Sequence, residues 1–257
     1  ANTTRKIRIA AFGDCGQESS AVNQTASLGA YQTYLSNNGI DAPDAWILLG
    51  DNAYNVGNAT EYTSKFFTPY AGSTNNILRN HKLFPSPGNH EYNNSQLTAD
   101  RIRRDWHYFS AFTLPQNAEC GGTASTKPNF YSFDSGNIHF LSLDSHGMES
   151  TDGNSEMGTN SATTVMKNWI AADLAANTKK WVVAYWHHPP YSKGSHNSDT
   201  ETQMINIRTR FVRFLEQRGV DMIISGHSHA YERSYLIRNF STNWTTFTPA
   251  THAVSNS

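Results

Sequence analysis

Potential metal-ligating or acid–base side chains follow five strand-like segments of the sequence, each where an apolar run stops. The clearest case lies in residues 220–233, where the apolar run 222–224 is followed by a Ser-Gly pair and then by His227 and His229. Residues two apart on an extended segment leave the same face, so both imidazoles can converge beyond the carboxyl end of a strand. Two histidines so close together are also compatible with an ordinary polar loop.

The other four strand ends carry side chains of the same kinds, namely Asp14, Asp51, Asn89 with His90, and His187. Each has a structural explanation of its own. An Asp after Gly often caps a helix or forms a turn, and His187 precedes a second histidine and two prolines that would make a rigid turn. Five independent coincidences are less plausible than one shared site, and a shared site is therefore the prediction.

The donor atoms of this set are carboxylate and amide oxygens and imidazole nitrogens, with no thiolate motif. This composition excludes a structural zinc finger and an iron–sulfur cluster. It suits iron, manganese or zinc. The donors are too many for one four-coordinate ion, whereas two ions about 3.5–4 Å apart with a bridging carboxylate would use them well. Such a pair activates water and assists in-line displacement at phosphorus, so the predicted chemistry is phosphoester hydrolysis.

The elements that must position these side chains alternate along the chain. Apolar, β-branched or aromatic runs predict strands, and periodic apolar stripes predict the helices between them. The predicted strands are 7–12, 45–49, 82–87, 130–133, 138–144, 180–186 and 222–224, and the predicted helices are 20–37, 60–70, 162–176 and 201–218. The turn at 134–137 predicts a hairpin. The pattern predicts an α/β fold (an α+β-like sandwich) of two mixed β-sheets packed together and flanked by helices. No linker divides the chain, so residues 1–257 are predicted to form one catalytic domain.

Composition narrows the possible functions. The chain has 257 residues, 37% of them hydrophobic and 16% charged, as in a globular domain with a sizeable core. A net charge of -1 gives no electrostatic footprint for nucleic acid, and no apolar run approaches the ~20 residues that cross a bilayer. No nucleic-acid or membrane partner is therefore expected. Cys15 and Cys120 either form one disulfide or remain free.

The sequence also carries weak signs of export. It begins with Ala1 rather than Met, as expected of a mature form whose leader has been removed. Potential glycosylation sequons occur at Asn2, Asn23, Asn58, Asn93, Asn239 and Asn243, although several would arise by chance in a chain so rich in Asn, Ser and Thr. The expected location is secreted or periplasmic.

Five ordered blocks carry a family resemblance: Gly-Asp-Cys-Gly (13–16), Gly-Asp-Asn-Ala-Tyr (50–54), Gly-Asn-His-Glu (88–91), Ala-Tyr-Trp-His (184–187) and Gly-His-Ser-His (226–229). Together they resemble the calcineurin-like metallophosphoesterases, over about residues 7–233. Within that superfamily the chain resembles the purple acid phosphatases. Two details favour this branch, namely Tyr54 three residues after Asp51 and the run Gly-His-Ser-His-Ala-Tyr-Glu-Arg.

The resemblance implies a ligand for each position of a binuclear metal centre. Asp14, Tyr54 and His229 would hold an Fe(III) ion, Asp51 would bridge, and Asn89, His187 and His227 would hold a divalent Fe, Zn or Mn ion. His188 is an alternative to His187. The block before His187 usually begins with Val, where this chain has Ala184, a difference that concerns only a strand residue.

The resemblance also implies how the reaction proceeds. A metal-bound hydroxide would attack a phosphomonoester and release inorganic phosphate. His90, and His196 in its loop, would orient substrate or protonate the leaving group. Activity is expected to peak below neutrality and to fall as His90 or His196 loses its proton.

Two alternative functions remain open at this point. One is a phosphodiesterase or nucleotide hydrolase of the same superfamily, and the other is a non-enzymatic metal-binding protein. The family usually continues beyond its last histidine block with further strands, whereas this chain stops ~28 residues later, so C-terminal strands are expected to be missing or to lie in a separate part.

Overall fold

The computed structural model describes residues 6–17, 22–71, 77–92, 107–146, 164–242 and 244–254. The chain forms two compact units, Ala1–Leu114 and Pro115–Ser257. Among the described residues, each unit contains one β-sheet, and helices follow most of the strands. The predicted α/β class with two sheets is thereby confirmed, while the assignment of residues 1–257 to a single domain stays a prediction.

The sheet of the first unit consists of three parallel strands, β1 (Ile9–Phe12), β2 (Ala45–Leu49) and β3 (Leu83–Ser86). The central strand β2 is buried at all five residues, as its unbroken apolar sequence predicts for a strand covered on both faces. This sheet is wholly parallel rather than mixed, because helix-containing crossovers connect its strands. Parallel strands end at the same edge, so Asp14, Asp51 and Asn89 all follow that edge.

Helical segments of the first unit are Val22–Asn37, Ala59–Glu61, Tyr62–Phe67, Thr68–Tyr70, Ile77–Asn80, Asn89–Tyr92 and His107–Ala111. The helix predicted over 60–70 is present as a continuous run whose middle segment, Tyr62–Phe67, is a π-helix. Its aromatic residues Tyr62 and Phe66 are buried. Residue 20, where the preceding helix was predicted to begin, lies outside the described residues.

The sheet of the second unit is mixed, with the order β4-β5-β6-β7. Its strands are β4 (Tyr131–Ser135), β5 (Ile138–Ser142), β6 (Trp181–Trp186) and β7 (Met222–Ser225). β4 and β5 pair antiparallel, which confirms the predicted hairpin, and the other two pairings are parallel. His187 follows β6 and His227 follows β7, so two neighbouring parallel strands deliver both histidines to one edge of this sheet.

The helical segments of the second unit are Val165–Ala176, Thr202–Ile207, the π-helix Arg208–Val212, Arg213–Glu216, the 3-10 segment Trp244–Thr246 and Pro249–His252. Apolar side chains of the first four and of β6, including Ile170, Trp186 and Phe211, form one buried cluster. Burial of apolar surface is the main favourable contribution to folding. The cluster therefore fixes the position of β6 and of His187, which follows it.

Two further properties concern the whole chain. Cys15 and Cys120 are both free thiols. Over the ranges that the structure describes, no helix combines the length and the apolar character needed to cross a membrane.

Candidate metal centre

The backbone is left-handed at four of the predicted ligands. The φ angles are 58° at Asp14, 50° at Asp51, 68° at His227 and 42° at His229. Only three other described residues besides glycine have a positive φ. This conformation is uncommon outside glycine, and it persists where the surrounding structure compensates for its cost, typically at functional sites. The turns after β1, β2 and β7 therefore share a left-handed backbone at the residues predicted to bind metal.

Three oxygen-bearing side chains meet at the carboxyl edge of the first sheet. The Tyr54 hydroxyl donates to Asp51 Oδ2 at 2.9 Å and lies 3.2 Å from Asp14 Oδ1. Asp51 is 1% exposed and Tyr54 is 4% exposed. One phenolic hydrogen does not neutralise two neighbouring carboxylate charges, so this group suits a positively charged partner. This donor set fits a hard metal ion.

Tyr54 does not ionise readily in these surroundings. Burial raises its pKa far above the usual range, and the negative charges of Asp51 and Asp14 raise it further. A bound cation reverses this balance because it favours the anionic form of its ligands. Tyr54 would thus become a phenolate ligand only together with a metal ion.

Glu91 is the residue of this region that the sequence analysis did not assign. Its carboxylate is fully buried and accepts backbone N–H groups from Asp51 (3.1 Å), Asn52 (2.7 Å), Ala53 (3.3 Å) and Gly88 (2.6 Å). The loops after β2 and β3 are therefore held by one anion. Its only sequence signal is its place at the end of the Gly-Asn-His-Glu block.

Gly88 allows the same two loops to approach closely. A Cβ atom at this position would lie 2.2 Å from Asp51 Oδ1 and 2.3 Å from the Asp51 backbone nitrogen. Both distances are far below van der Waals contact, so only glycine fits here without moving the loop that carries Asp51. Close packing against Asp51 therefore explains why the residue before Asn89 is a glycine.

His90 is oriented by the backbone. Its N–H donates to Asp51 Oδ1 at 2.8 Å, and its ring lies 4.0 Å from that of Tyr54. Nδ1 lies 2.5 Å from the Asn55 carbonyl oxygen, which can only accept, so Nδ1 carries a hydrogen. Nε2, 3.8 Å from Asp51 Oδ2, is the nitrogen left for other chemistry. Asn89 begins the short helix Asn89–Tyr92, and its role as a ligand stays a prediction.

Three imidazoles converge at the edge of the second sheet. Ring nitrogens of His187, His188 and His227 lie within 4.8 Å of one another, and His187 Nε2 is 3.1 Å from His227 Nδ1. Two nitrogens about 2.0–2.1 Å from a shared ion would be roughly 3–3.4 Å apart. The spacing of His187 and His227 fits ligands of one metal ion.

The hydrogen bonds of His188 distinguish it from His187. Its Nδ1 lies 2.9 Å from Ser145 Oγ and 3.2 Å from Gln203 Nε2. An amide nitrogen only donates, so Nδ1 accepts and the hydrogen sits on Nε2. Burial and the neighbouring imidazoles of His187 and His227 hold the pKa of His188 well below its usual range, so its ring is neutral. The occupied Nδ1 and the hydrogen on Nε2 of His188 favour His187 as the ligand, and that choice stays a prediction.

His196 lies against His227, with ring centroids 3.8 Å apart. Its Nδ1 is 2.9 Å from Glu201 Oε2, and the same carboxylate oxygen is 3.9 Å from His227 Nε2. His196, whose role the family resemblance implied, is thus brought beside a predicted ligand. Glu201 was not predicted, because a Glu before a helix looks like an ordinary surface residue.

A second carboxylate, that of Glu232, joins the loop containing His196 to the loop after β7. It lies 2.6 Å from Ser192 Oγ and accepts the Lys193 N–H at 2.8 Å, while Ser192 Oγ is 2.6 Å from Ser228 Oγ. Burial opposes ionisation of Glu232, but hydrogen bonds, first from Ser192, outweigh it and hold the pKa below its usual range. Glu232 belongs to the run that suggested the family branch, and its structural role appears only here.

His229 differs from the other histidines. Its side chain is exposed, and it does not belong to the convergent imidazole groups of the second unit's described residues. Its assignment to the iron-type site stays a prediction.

Comparison with known proteins identifies the family. The model of the calcineurin-like phosphoesterases matches residues 7–231, and the chain belongs to this family. It is similar to Purple acid phosphatase 15 of Arabidopsis thaliana, with 29% identity over 91% of this chain and 42% of the relative. The resemblance drawn from the five blocks is thereby confirmed.

Shorter stretches match other phosphatases. Purple acid phosphatase 22 of Arabidopsis thaliana is 33% identical over 45% of this chain and 24% of its own length. An acid phosphatase of Aspergillus ficuum is 28% identical over 50% of this chain and 25% of its own length. The chain thus spans less than half the length of these curated relatives.

Proposed function

We propose that this chain is a binuclear-metal phosphoester hydrolase that acts as an acid phosphatase on phosphate monoesters. The observation that carries the proposal is the position of the Tyr54 hydroxyl between the carboxylates of Asp51 and Asp14, at 2.9 and 3.2 Å. A phenol with two carboxylates suits a hard trivalent ion such as Fe(III). Family membership over residues 7–231 supports phosphoester chemistry.

The family uses a binuclear metal centre, and the residue assignments follow from the resemblance. In this proposal the Fe(III) ligands are Asp14, Tyr54 and His229, the ligands of the divalent Fe, Zn or Mn ion are Asn89, His187 and His227, and Asp51 is shared. When bound, the ion pair would supply an activated water and neutralise charge that develops at phosphorus. This division is supported by the oxygen donors of Asp14, Asp51 and Tyr54, which suit Fe(III), and by the imidazoles of His187 and His227, which suit a divalent ion.

His90 and His196 are the proposed catalytic residues. In both rings Nδ1 is engaged, by the Asn55 carbonyl in His90 and by Glu201 in His196. Nε2 is therefore the atom that would donate to a phosphate oxygen or to the leaving group. Proton transfer from a positioned histidine typically contributes about 10²–10⁴-fold to rate.

Metal analysis combined with a visible spectrum and turnover tests the proposal. The protein, loaded with iron and then with zinc or manganese, is expected to bind two ions and to absorb visible light through the Tyr54 phenolate. It should hydrolyse a mono-aryl phosphate faster than a bis-aryl phosphate. Preferred turnover of the bis-aryl phosphate would indicate the phosphodiesterase alternative, and metal binding without turnover of either would indicate a metal-binding protein.

We also propose that the protein is secreted or periplasmic. Support comes from the sequons, of which Asn23 and Asn239 lie in described, exposed positions. A mass shift on enzymatic removal of N-glycans from the natively produced protein is expected for a secreted glycoprotein. The absence of both glycan and signal-dependent export in the producing organism would contradict it.

A further inference from the structure

We infer that Glu201 is a positioning residue that holds the His196 imidazole in one tautomer and one direction. The inference rests on the proposed function, because His196 is a catalytic residue only within it. Glu201 Oε2 lies 2.9 Å from His196 Nδ1, and Oε1 accepts the Asn197 N–H at 2.7 Å. Both carboxylate oxygens are thus used on two consecutive residues of one loop.

The hydrogen bond to Glu201 decides which nitrogen of His196 faces the reaction. An ionised carboxylate only accepts, so the hydrogen of His196 stays on Nδ1. Nε2 is consequently the atom that exchanges a hydrogen with substrate, in the neutral and the protonated ring alike. A carboxylate behind a working imidazole fixes its tautomer and orientation in this way in metal sites and catalytic triads.

The backbone of Glu201 is held in place by the helix that follows it. Glu201 is the N-cap of the helix Thr202–Ile207, in which Met204 and Ile207 are fully buried. On the other side of the loop, the Ser198 N–H donates to the Ser192 carbonyl at 3.1 Å. The loop is therefore held at both ends, and the side chain of Glu201 adds a hydrogen bond that orients the imidazole.

The stacking of His196 on His227 shows why the orientation of the His196 ring matters for proton transfer. The His196 ring lies over His227 with 27° between the planes, and Glu201 Oε2 is 3.9 Å from His227 Nε2. Without the carboxylate, the His196 ring can rotate about its side-chain bonds and present either nitrogen. Such a change lowers the rate of proton transfer but leaves substrate binding by the remaining residues largely intact.

A double-mutant cycle in the metal-loaded protein tests the inference. Glu201→Ala is expected to lower kcat by about 10–100-fold, with KM within about threefold of the wild-type value. Glu201→Gln keeps an acceptor oxygen and should restore most of kcat. The variant carrying both Glu201→Ala and His196→Ala should turn over no more slowly than His196→Ala alone, because both changes remove the same function.

Glu216→Ala is a matched control, since Glu216 also bonds a backbone N–H, that of Asn239, at 2.7 Å without touching His196. Its kcat should equal that of the wild type. If the wild type is inactive with both metals bound, the proposed function fails. If the wild type is active and Glu201→Ala retains full kcat, or if the losses from Glu201→Ala and His196→Ala multiply, the inference about Glu201 fails.

Metal content and stability complete the test. Glu201→Ala is expected to retain both metal ions, and loss of an ion would overturn the inference because Glu201 would then support His227 instead. Should Glu201→Ala not fold, Glu201→Asp takes its place, since the shorter carboxylate cannot reach Nδ1 and the Asn197 N–H together. A folded Glu201→Asp variant with unchanged kcat would equally overturn the inference.

Discussion

The buried carboxylate of Glu91 accepts a hydrogen bond of 3.1 Å from the backbone N–H of Asp51. The same oxygen accepts the Gly88 N–H at 2.6 Å, so a single atom connects the turns after two neighbouring parallel strands. One of these turns carries the proposed bridging ligand, and the other carries Asn89 and His90. The positions of two proposed metal ligands, Asp51 and Asn89, therefore depend on a residue that is not itself a proposed ligand.

Glu91→Gln is expected to destabilise the protein by about 2–4 kcal/mol, because a side-chain amide hydrogen would face backbone N–H groups that then lose their acceptor in the interior. The free energy of unfolding from urea titration measures this loss. Metal affinity should fall with it.

Glu61 provides the comparison for Glu91. Its carboxylate also accepts several backbone N–H groups, including those of Val56 and Asn58, at the start of a helix. Glu61→Gln should cost only about 1 kcal/mol, since a cap that is open to solvent is partly replaced by water. Equal losses for the two substitutions would contradict the role assigned to Glu91.

Gly88→Ala is expected to abolish metal binding by the first unit's ligands and to lower turnover at least about 100-fold, because the added methyl group displaces Asp51 and a misplacement of about 1 Å has that cost. Metal content and kcat are the measurements. Gly29→Ala is the control, since a Cβ at that helical glycine meets nothing within 4 Å. This control should leave metal content unchanged and raise stability by up to about 1 kcal/mol.

Tyr54→Phe is expected to eliminate the visible absorption band of the iron-loaded protein while leaving its fold intact. The phenol is the only ligand in the proposed set that would give a colour with Fe(III), and its hydroxyl is held by two carboxylates at 2.9 and 3.2 Å. Tyr62→Phe removes another buried hydroxyl, 3.5 Å from Glu91, and should keep the band. A band that survives in Tyr54→Phe would assign the colour to another residue and weaken the proposed function.

The stability of the second unit is expected to depend on pH through His139. Its Nδ1 lies 2.8 Å from Asp134 and its Nε2 2.6 Å from Asp173, while Lys179 Nζ is 3.4 Å from Asp134. Burial lowers the pKa of His139, but hydrogen bonds to Asp173 and Asp134 outweigh it and raise the pKa above its usual value. Stabilisation from the protonated ring is therefore complete below about pH 6.5 and is lost as the pH rises through the raised pKa.

Urea unfolding of His139→Asn at pH 5.5 and 8.5 tests this dependence. The loss relative to wild type should be about 3–5 kcal/mol at the lower pH, because two partnered carboxylates lose their counter-charge, and smaller at the higher pH. Phe133→Leu, which disturbs packing against Phe140 in the same hairpin, should cost the same at both values. An equal loss for His139→Asn at both pH values would show that folding does not raise the pKa of His139.

Much of the fold was predictable because its signals are local. Apolar runs marked the seven strands to within about two residues at most ends, as short-range periodicity allows. The hairpin turn at 134–137 was equally readable. The π-helical segments Tyr62–Phe67 and Arg208–Val212 were not, since they change the hydrogen-bond register without changing the apolar pattern.

The sequence by itself determined which side chains are candidates for the chemistry, because all of them except His196 follow an apolar strand within a short, ordered block. Only the tertiary structure decided how they are held: Glu91 beneath Asp51, Glu201 behind His196, and the hydrogen bonds that distinguish His188 from His187. The partners of Glu91 and His188 include groups some 40 residues away along the chain. A carboxylate that binds distant backbone N–H groups has the same local sequence as one exposed to water, so its role depends on contacts that form only when the chain folds.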